Sequence, residues 1–428
     1  MQESFLHYVW QFQYFNKTDL RTTTGEEVMV FNPGCRNDHA GPDFFNARVR
    51  VGELEWIGNV EIHVRASEWL DHCHDSDPAY ENVILHVVWK RDKDIHRSDR
   101  SMLPTVELTG RLEPDLVFRY KRLVNNPEKI PCSKSIHKVP YLVRLSMLDK
   151  AALIRLQGKA KKVEALLDRN RNDWEETCYQ MLGRNFGFKV NAEPFQQLTQ
   201  SLPYKVLMKH ANRPFQIEAL LFGQAGFLEP EKGDDYYQLI RREHQLLARK
   251  YGILDKRLST AQWKFLRLRP ANFPTIRLAQ LAALMAERKN LFSNIIMAET
   301  YATLKKVFVV SQSEYWRKHY QFSKKSKEDV AGLGDISIEN VIINTAIPLM
   351  AAVARARDEQ VFMDKAVSFL QEASGERNSI TRIWLELGLK NESAFDSQAL
   401  TELYNGFCMK RRCLDCTIGS SLLRPSFT

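Results

Sequence analysis

The chain has 428 residues, 44% of them hydrophobic and 26% charged, which is the balance of a globular protein with apolar content for two or three cored domains. No apolar run approaches the roughly 20 residues that span a bilayer. The first residues, Met1-Gln2-Glu3-Ser4-Phe5-Leu6-His7-Tyr8, lack the basic segment and small-residue cleavage site of a signal peptide, so a cytoplasmic location is expected.

Charge is uneven along the chain. Residues 1–137 hold 17 Lys and Arg against 21 Asp and Glu, a net −4, and the remaining 44 against 31 give +13. An acidic front suits a cation site, and a basic remainder suits a polyanionic partner.

In chain order, Phe5, Tyr8, Val9, Phe12 and Phe15 recur at helical spacing and predict a helix over 3–15. Glu27–Phe31 reads as a short strand broken by Asn32-Pro33-Gly34. Residues 44–51 alternate, Val51-Gly52-Glu53 reads as a hairpin turn, and a strand follows over 54–64. The polar stretch 67–81 is a short helix or ordered loop. Val83–Trp89 is apolar almost throughout, as in the middle of a sheet, and Leu103–Leu108 is a further strand. Beyond a linker at 127–140 with three prolines, helical periodicity dominates: 143–171, 174–182, 214–222, 236–251, 275–287, 338–354 and 360–370. The expected architecture is α+β: an α/β domain over 1–126, then a basic helical domain over 141–428.

The chemistry concentrates between Gly41 and Trp89. Asp43 opens one strand, and Glu61 and His63 project from the same face of its neighbour, about 6.5–7 Å apart by the two-residue strand period. Paired carboxylates suit Mg²⁺ or Mn²⁺, and an adjacent proton acceptor can orient an attacking water. His72, His74 and Asp75 follow closely and suit acid–base work or Zn²⁺-like coordination. The two histidines can converge from a loop but not from one helix face. His86, inside an apolar strand, reads first as a core residue.

Near the C-terminus, Cys408, Cys413 and Cys416 form C-x4-C-x2-C among Lys410, Arg411 and Arg412, neighbours expected to lower the thiol pKa values. Three close thiols suit Zn²⁺ or an iron–sulfur cluster with a fourth ligand, for which Cys132 is the best remote candidate. In the helical part, Arg267 and Arg269 lie in a stiff aromatic and Pro-rich stretch, Arg277 begins the next helix, and Lys324 and Lys325 form a basic run. These are candidate nucleic-acid contacts.

Pro42-Asp43 followed by Glu61-Ile62-His63 resembles the signature of the restriction-endonuclease-like PD-(D/E)xK nucleases, with His63 where Lys is usual. The helix, three strands, crossover, strand order over about 3–90 is similar to that superfamily's core. The resemblance implies a metal-dependent nuclease with Asp43 and Glu61 on the cation, His63, His72 and His74 assisting, and nucleic acid, DNA foremost, as substrate. Some nucleases of that superfamily tie a distant cysteine to three C-terminal ones through an iron–sulfur cluster, a layout similar to the one here. Across nearly the whole chain, Ala40-Gly41-Pro42-Asp43-Phe44, Gly58-Asn59-Val60-Glu61-Ile62-His63, Phe222-Gly223-Gln224-Ala225-Gly226, Arg269-Pro270-Ala271-Asn272-Phe273-Pro274 and Cys413-Leu414-Asp415-Cys416 resemble a bacterial family catalogued as a domain of unknown function. Rival expectations are a non-catalytic nucleic-acid-binding or scaffold protein on a degraded nuclease fold, and a zinc hydrolase of another substrate.

Overall fold

The computed structural model describes residues 1–229 and 233–424. They form two compact units, Met1–Met147 joined by the stretch from Leu403 onward, and Leu148–Glu402. The first is built on a six-stranded sheet and the second is almost entirely helical, so the chain is mixed α and β.

Helix α1 (Glu3–Gln11) buries Phe5, Leu6, Tyr8, Val9 and Trp10 along one side. It ends earlier than the apolar spacing suggests because Gln13 takes a left-handed φ of 56°, a conformation no helix continues through. Strands β1 (Val28–Asn32), β2 (Cys35–Arg36), β3 (Phe44–Val51) and β4 (Leu54–Arg65) follow. A crossover then leads through the short helix α2 (Glu68–Asp71) to β5 (Val83–Lys90), β6 (Thr105–Glu107) and helix α3 (Pro114–Val124). The sheet order is β1-β3-β4-β5-β6, with β2 also on β3; β3 is antiparallel to β1 and β4, whereas β4–β5 and β5–β6 are parallel.

One face of the sheet packs on α1 and α3 through Val60, Ile62, Leu85 and Val87 with Phe5, Val9, Leu116 and Tyr120. Under the crossover a smaller cluster forms from Ala66, Trp69, Val83 and Val88. Burial on both faces explains why β5 is apolar without alternation. Gly58 lets β4 approach the start of β5: a Cβ there would run into Ile84 and come 2.9 Å from the Asn82 carbonyl.

Several features depart from the sequence expectation. Neither the two-residue β2 nor α3 shows in local periodicity strongly enough to be expected. The C-terminal stretch, assigned by sequence to the helical domain, belongs with the first unit. There Tyr8 Oη lies 3.2 Å from the Ser420 carbonyl and Arg36 Nη1 is 3.3 Å from Asp415 Oδ1.

The helical unit also contains a small hairpin, His319–Gln321 paired with Lys324–Lys325, in a region that reads as helical. Its run Asp335–Arg357 is 23 residues and, by length and composition, apolar enough to cross a membrane, contrary to the expectation that no such run exists; 72% of its most apolar window is buried inside the protein. The run widens into a π turn over Ile342–Ala346, just before Pro348, which has no N–H to continue the ordinary ladder.

Candidate metal centre

Asp43 and Glu61 are locked together by backbone geometry. The Asp43 N–H donates to Glu61 Oε2 at 3.0 Å, and the Ile62 N–H donates to Asp43 Oδ2 at 2.9 Å. Asp43 is placed by the loop before it, where the Asn37 side chain donates to the carbonyls of His39 and Pro42 at 3.0 Å and Gly41 sits at a φ of 98°. That φ favours glycine.

Two side-chain groups meet at this pair. In the first, Glu3 and His7 come from successive turns of α1. His7 Nε2 lies 3.1 Å from Asp43 Oδ2 and 3.6 Å from Glu3 Oε1. All three ligand atoms lie within 4.8 Å of one another. The His7 Nε2 atom is buried and, though close to both carboxylates, makes no hydrogen bond of acceptable geometry.

The second group is His63, His72 and His74, again within 4.8 Å of one another. His72 ends α2, and Cys73 follows with a φ of 60°. That left-handed residue reverses the chain, letting His74 N–H return to the Trp69 carbonyl at 3.0 Å and both histidines face His63. The His72 Nδ1 to His63 Nε2 distance is 3.3 Å, His74 Nε2 to Glu61 Oε1 is 3.3 Å, and His63 Nε2 to Glu61 Oε1 is 3.6 Å. Ligands about 2.1 Å from an ion at the corners of a tetrahedron stand roughly 3.4 Å apart, so the donors fit one ion. Glu61 adjoins both groups: Oε1 faces His63 and His74, and Oε2 accepts the Asp43 backbone N–H.

Behind these ligands lies an orienting layer. His63 Nδ1 is 2.9 Å from Nε2 of the fully buried His86, whose register partner across β4–β5 is Glu61. With Nδ1 engaged there, His63 presents Nε2 to Glu61 and His72. Trp69 packs against His74 and His86, and Tyr80 stacks on His74 at 3.7 Å. Burial, and then the charges of His74, His72 and His7, push His63 down to about 3, so its ring is neutral near neutral pH. Burial drives His86 down too. Glu61 is shifted the other way, raised by burial first despite its bond to His74. Tyr80 is pushed up to about 12 by burial and by Glu61, and stays a hydroxyl donor at the mouth of the site.

Of the expected site residues, Asp43, Glu61, His63, His72 and His74 therefore come together. Asp75 does not join the ligand groups; it is exposed and lines a 350 Å³ cavity that opens beyond His74 and Tyr80. His86, read as a core residue, is both that and the support of His63. Sequence reading missed Glu3 and His7, whose four-residue spacing on one helix face is a usable signal.

Among the expected nucleic-acid contacts, Arg267, Arg269, Lys324 and Lys325 are exposed. Arg277 is not such a contact. It is 5% exposed, its guanidinium donates to Asn272, Gln280 and Ser337 at 2.6, 2.9 and 3.1 Å, and it covers the Phe188 ring. The first turn of its helix simply faces inward.

The four cysteines Cys132, Cys408, Cys413 and Cys416 line one small cavity. Burial outweighs the basic neighbours, contrary to the sequence expectation: Cys132 is pushed up to about 12 and Cys413 to about 11, and Cys408 also rises, all by desolvation first.

No curated protein and no solved structure matches the chain. A family profile does, over residues 3–379, which includes both ligand groups and most of the helical unit. The chain belongs to the family described as protein of unknown function (DUF2851).

Proposed function

We propose that this protein is a metal-dependent hydrolase of phosphodiester bonds in nucleic acid, DNA foremost. The observation that carries the reading is that two ligand groups, Glu3–His7–Asp43 and His63–His72–His74, flank Glu61, whose Oε1 faces the histidines and whose Oε2 takes the Asp43 backbone N–H. A pair of ligand groups on either side of one carboxylate suits two cations acting on one phosphate. Imidazole donors suit Mn²⁺ or Zn²⁺ better than Mg²⁺, which prefers oxygen throughout. Divalent cations held there would polarise a phosphate oxygen and a water and offset charge as the bond breaks.

The chain's own residues have separable tasks. Asp43 and Glu61 hold each other through backbone N–H groups, which fixes their oxygens before any substrate arrives. His63 is a neutral ring steered by His86, so it acts as a ligand and not as a positive stand-in for the lysine of the nuclease signature. Burial raises the Glu61 carboxyl above its ordinary value, which favours its taking up a proton at the site. Tyr80 offers a hydroxyl to a group in the adjoining cavity.

The order of α1, the strands and the crossover supports the nuclease reading, as does the excess of positive charge in the helical unit. The test is cleavage of single- and double-stranded DNA with added Mn²⁺, Zn²⁺ or Mg²⁺. Asp43→Ala and Glu61→Ala should each lower the rate by more than about 100-fold. Cleavage unchanged in both variants overturns the assignment, and cation-independent DNA binding without turnover supports a non-catalytic binding protein instead.

A further inference from the structure

We propose that a cavity lined by α3 and the 127–140 segment binds a small organic phosphate of the class of a nucleoside diphosphate. The cavity measures 530 Å³ and lies wholly within the first unit. Pockets for small ligands run from about 300 to 1,000 Å³. Asp115, Phe118, Arg119 and Arg122 line it from α3, at the three- and four-residue spacing that shares a helix face. Lys134 and Lys138 line it from the second segment, and Leu423 from the C-terminal helix Thr417–Leu423.

Charge sets this cavity apart from the unit around it. The first unit holds 23 Lys and Arg against 22 Asp and Glu, yet the cavity lining holds four cations against the single carboxylate of Asp115. That carboxylate is already engaged. Arg119 Nε lies 3.0 Å from Asp115 Oδ2, and Arg119 Nη1 donates to the Arg424 carbonyl at 3.1 Å. Arg122, Lys134 and Lys138 make no ion pair among the described residues. Like charges around one cavity repel, and a bound anion removes that cost. Two linked phosphates carry roughly three negative charges near neutral pH, a match for the three unpaired cations.

Apolar surface defines the rest of the ligand. Phe118 lines the cavity while 61% exposed, and the buried Leu123 and Leu423 line it with Phe118. An inorganic anion gains nothing from such a lining, whereas a nucleobase can stack on an exposed ring. A nucleic-acid strand calls for a basic groove that tracks its backbone from one nucleotide to the next; here the three unpaired cations and the ring line a single cavity. None of the lining residues belongs to either ligand group of the metal centre. The inference therefore goes beyond the hydrolase reading and does not rest on it.

The experiment is isothermal titration of the full chain, in EDTA and low salt, with ADP, GDP, pyrophosphate and adenosine. ADP or GDP should bind once per chain with a Kd below about 0.1 mM, and more weakly as salt is raised. Pyrophosphate should bind about tenfold more weakly and adenosine more weakly still. Arg122→Glu with Lys134→Glu should weaken the nucleotide and pyrophosphate alike, by about tenfold or more. Phe118→Ala should weaken the nucleotide about tenfold and leave pyrophosphate unchanged. All three side chains are exposed, so both variants should keep the wild-type Tm. No binding of either nucleotide at 1 mM or so, or affinity unmoved by the charge reversals, overturns the proposal. Pyrophosphate binding as tightly as ADP overturns it too, because the ring then has no part in recognition. A single-stranded oligonucleotide that binds more tightly than ADP, and loses that advantage in the charge-reversed variant, overturns the small-ligand assignment in favour of a strand path.

Discussion

Glu61 carries opposing demands. Its carboxylate is 5% exposed, and burial raises its pKa. A carboxyl raised in the folded state contributes stability that is complete below its unfolded value and is lost as pH rises through the folded value. In metal-free protein near pH 8 it is therefore a cost, offset when a cation binds. His63 has the other sign: held at about 3, it stays neutral while the unfolded chain takes up protons, so stability falls as pH drops from about 6.5 toward 3. Glu61→Gln keeps an oxygen for the Asp43 N–H and a donor for His74 but removes the charge. In chelated protein at pH 8 it should raise Tm by about 2–4 °C, roughly 1 kcal/mol in a unit of this size. The gain should vanish below pH 4.5, and Mn²⁺ should no longer stabilise the variant. A lower Tm at pH 8 would contradict the buried-charge account.

At the level of elements, the centre depends on the parallel pairing of β4 and β5, which sets Glu61 beside His86 and His63 beside Val88. Gly58 permits that pairing. Gly58→Ala would push β4 off Ile84 and the Asn82 carbonyl, and an overpacked sheet contact of this kind costs about 1–3 kcal/mol. The variant should melt lower and bind Mn²⁺ more weakly, whereas an alanine at exposed Gly110, which has open space around it and a φ of 77°, should show only backbone strain and leave metal binding intact. Equal metal affinity in Gly58→Ala would separate the strand register from the site.

The sequence made β3 legible to the residue, and β4 and β5 nearly so, because alternation and apolar runs are local consequences of burial. Asp43, Glu61 and the three histidines were legible for the same reason, lying on or beside those strands. Glu3 and His7 share one helix face by their four-residue spacing, but nothing local ties that face to Asp43, which they reach only once α1 packs across β4. Likewise α3 is amphipathic with only Leu116, Tyr120 and Leu123 buried, and β2 is too short to carry a period.

On the scale of the whole molecule, the return of the C-terminal stretch redistributes charge. Read along the chain, the front is acidic; by folded unit, 1–147 with 403–428 holds 23 Lys and Arg against 22 Asp and Glu, and 148–402 holds 38 against 30. The net charge of +9 thus resides almost wholly in the helical unit as +8. A polyanion should be held there, and with a steep salt dependence, because each neutralised phosphate contributes about −0.9 to the slope of log affinity against log salt. The exposed Arg267, Arg269, Lys324 and Lys325 are the residues to change, while Arg277 is excluded by its burial. With EDTA present to prevent cleavage, wild-type affinity for a short duplex should fall linearly on that plot. Lys324→Glu with Lys325→Glu should make the slope shallower by about 1 for each lost phosphate contact and leave Tm unchanged, since both side chains are solvated. Duplex affinity that ignores salt, or a slope unmoved by all four charge reversals, would remove nucleic acid as the partner of the helical unit and leave the two ligand groups to a smaller phosphate ester.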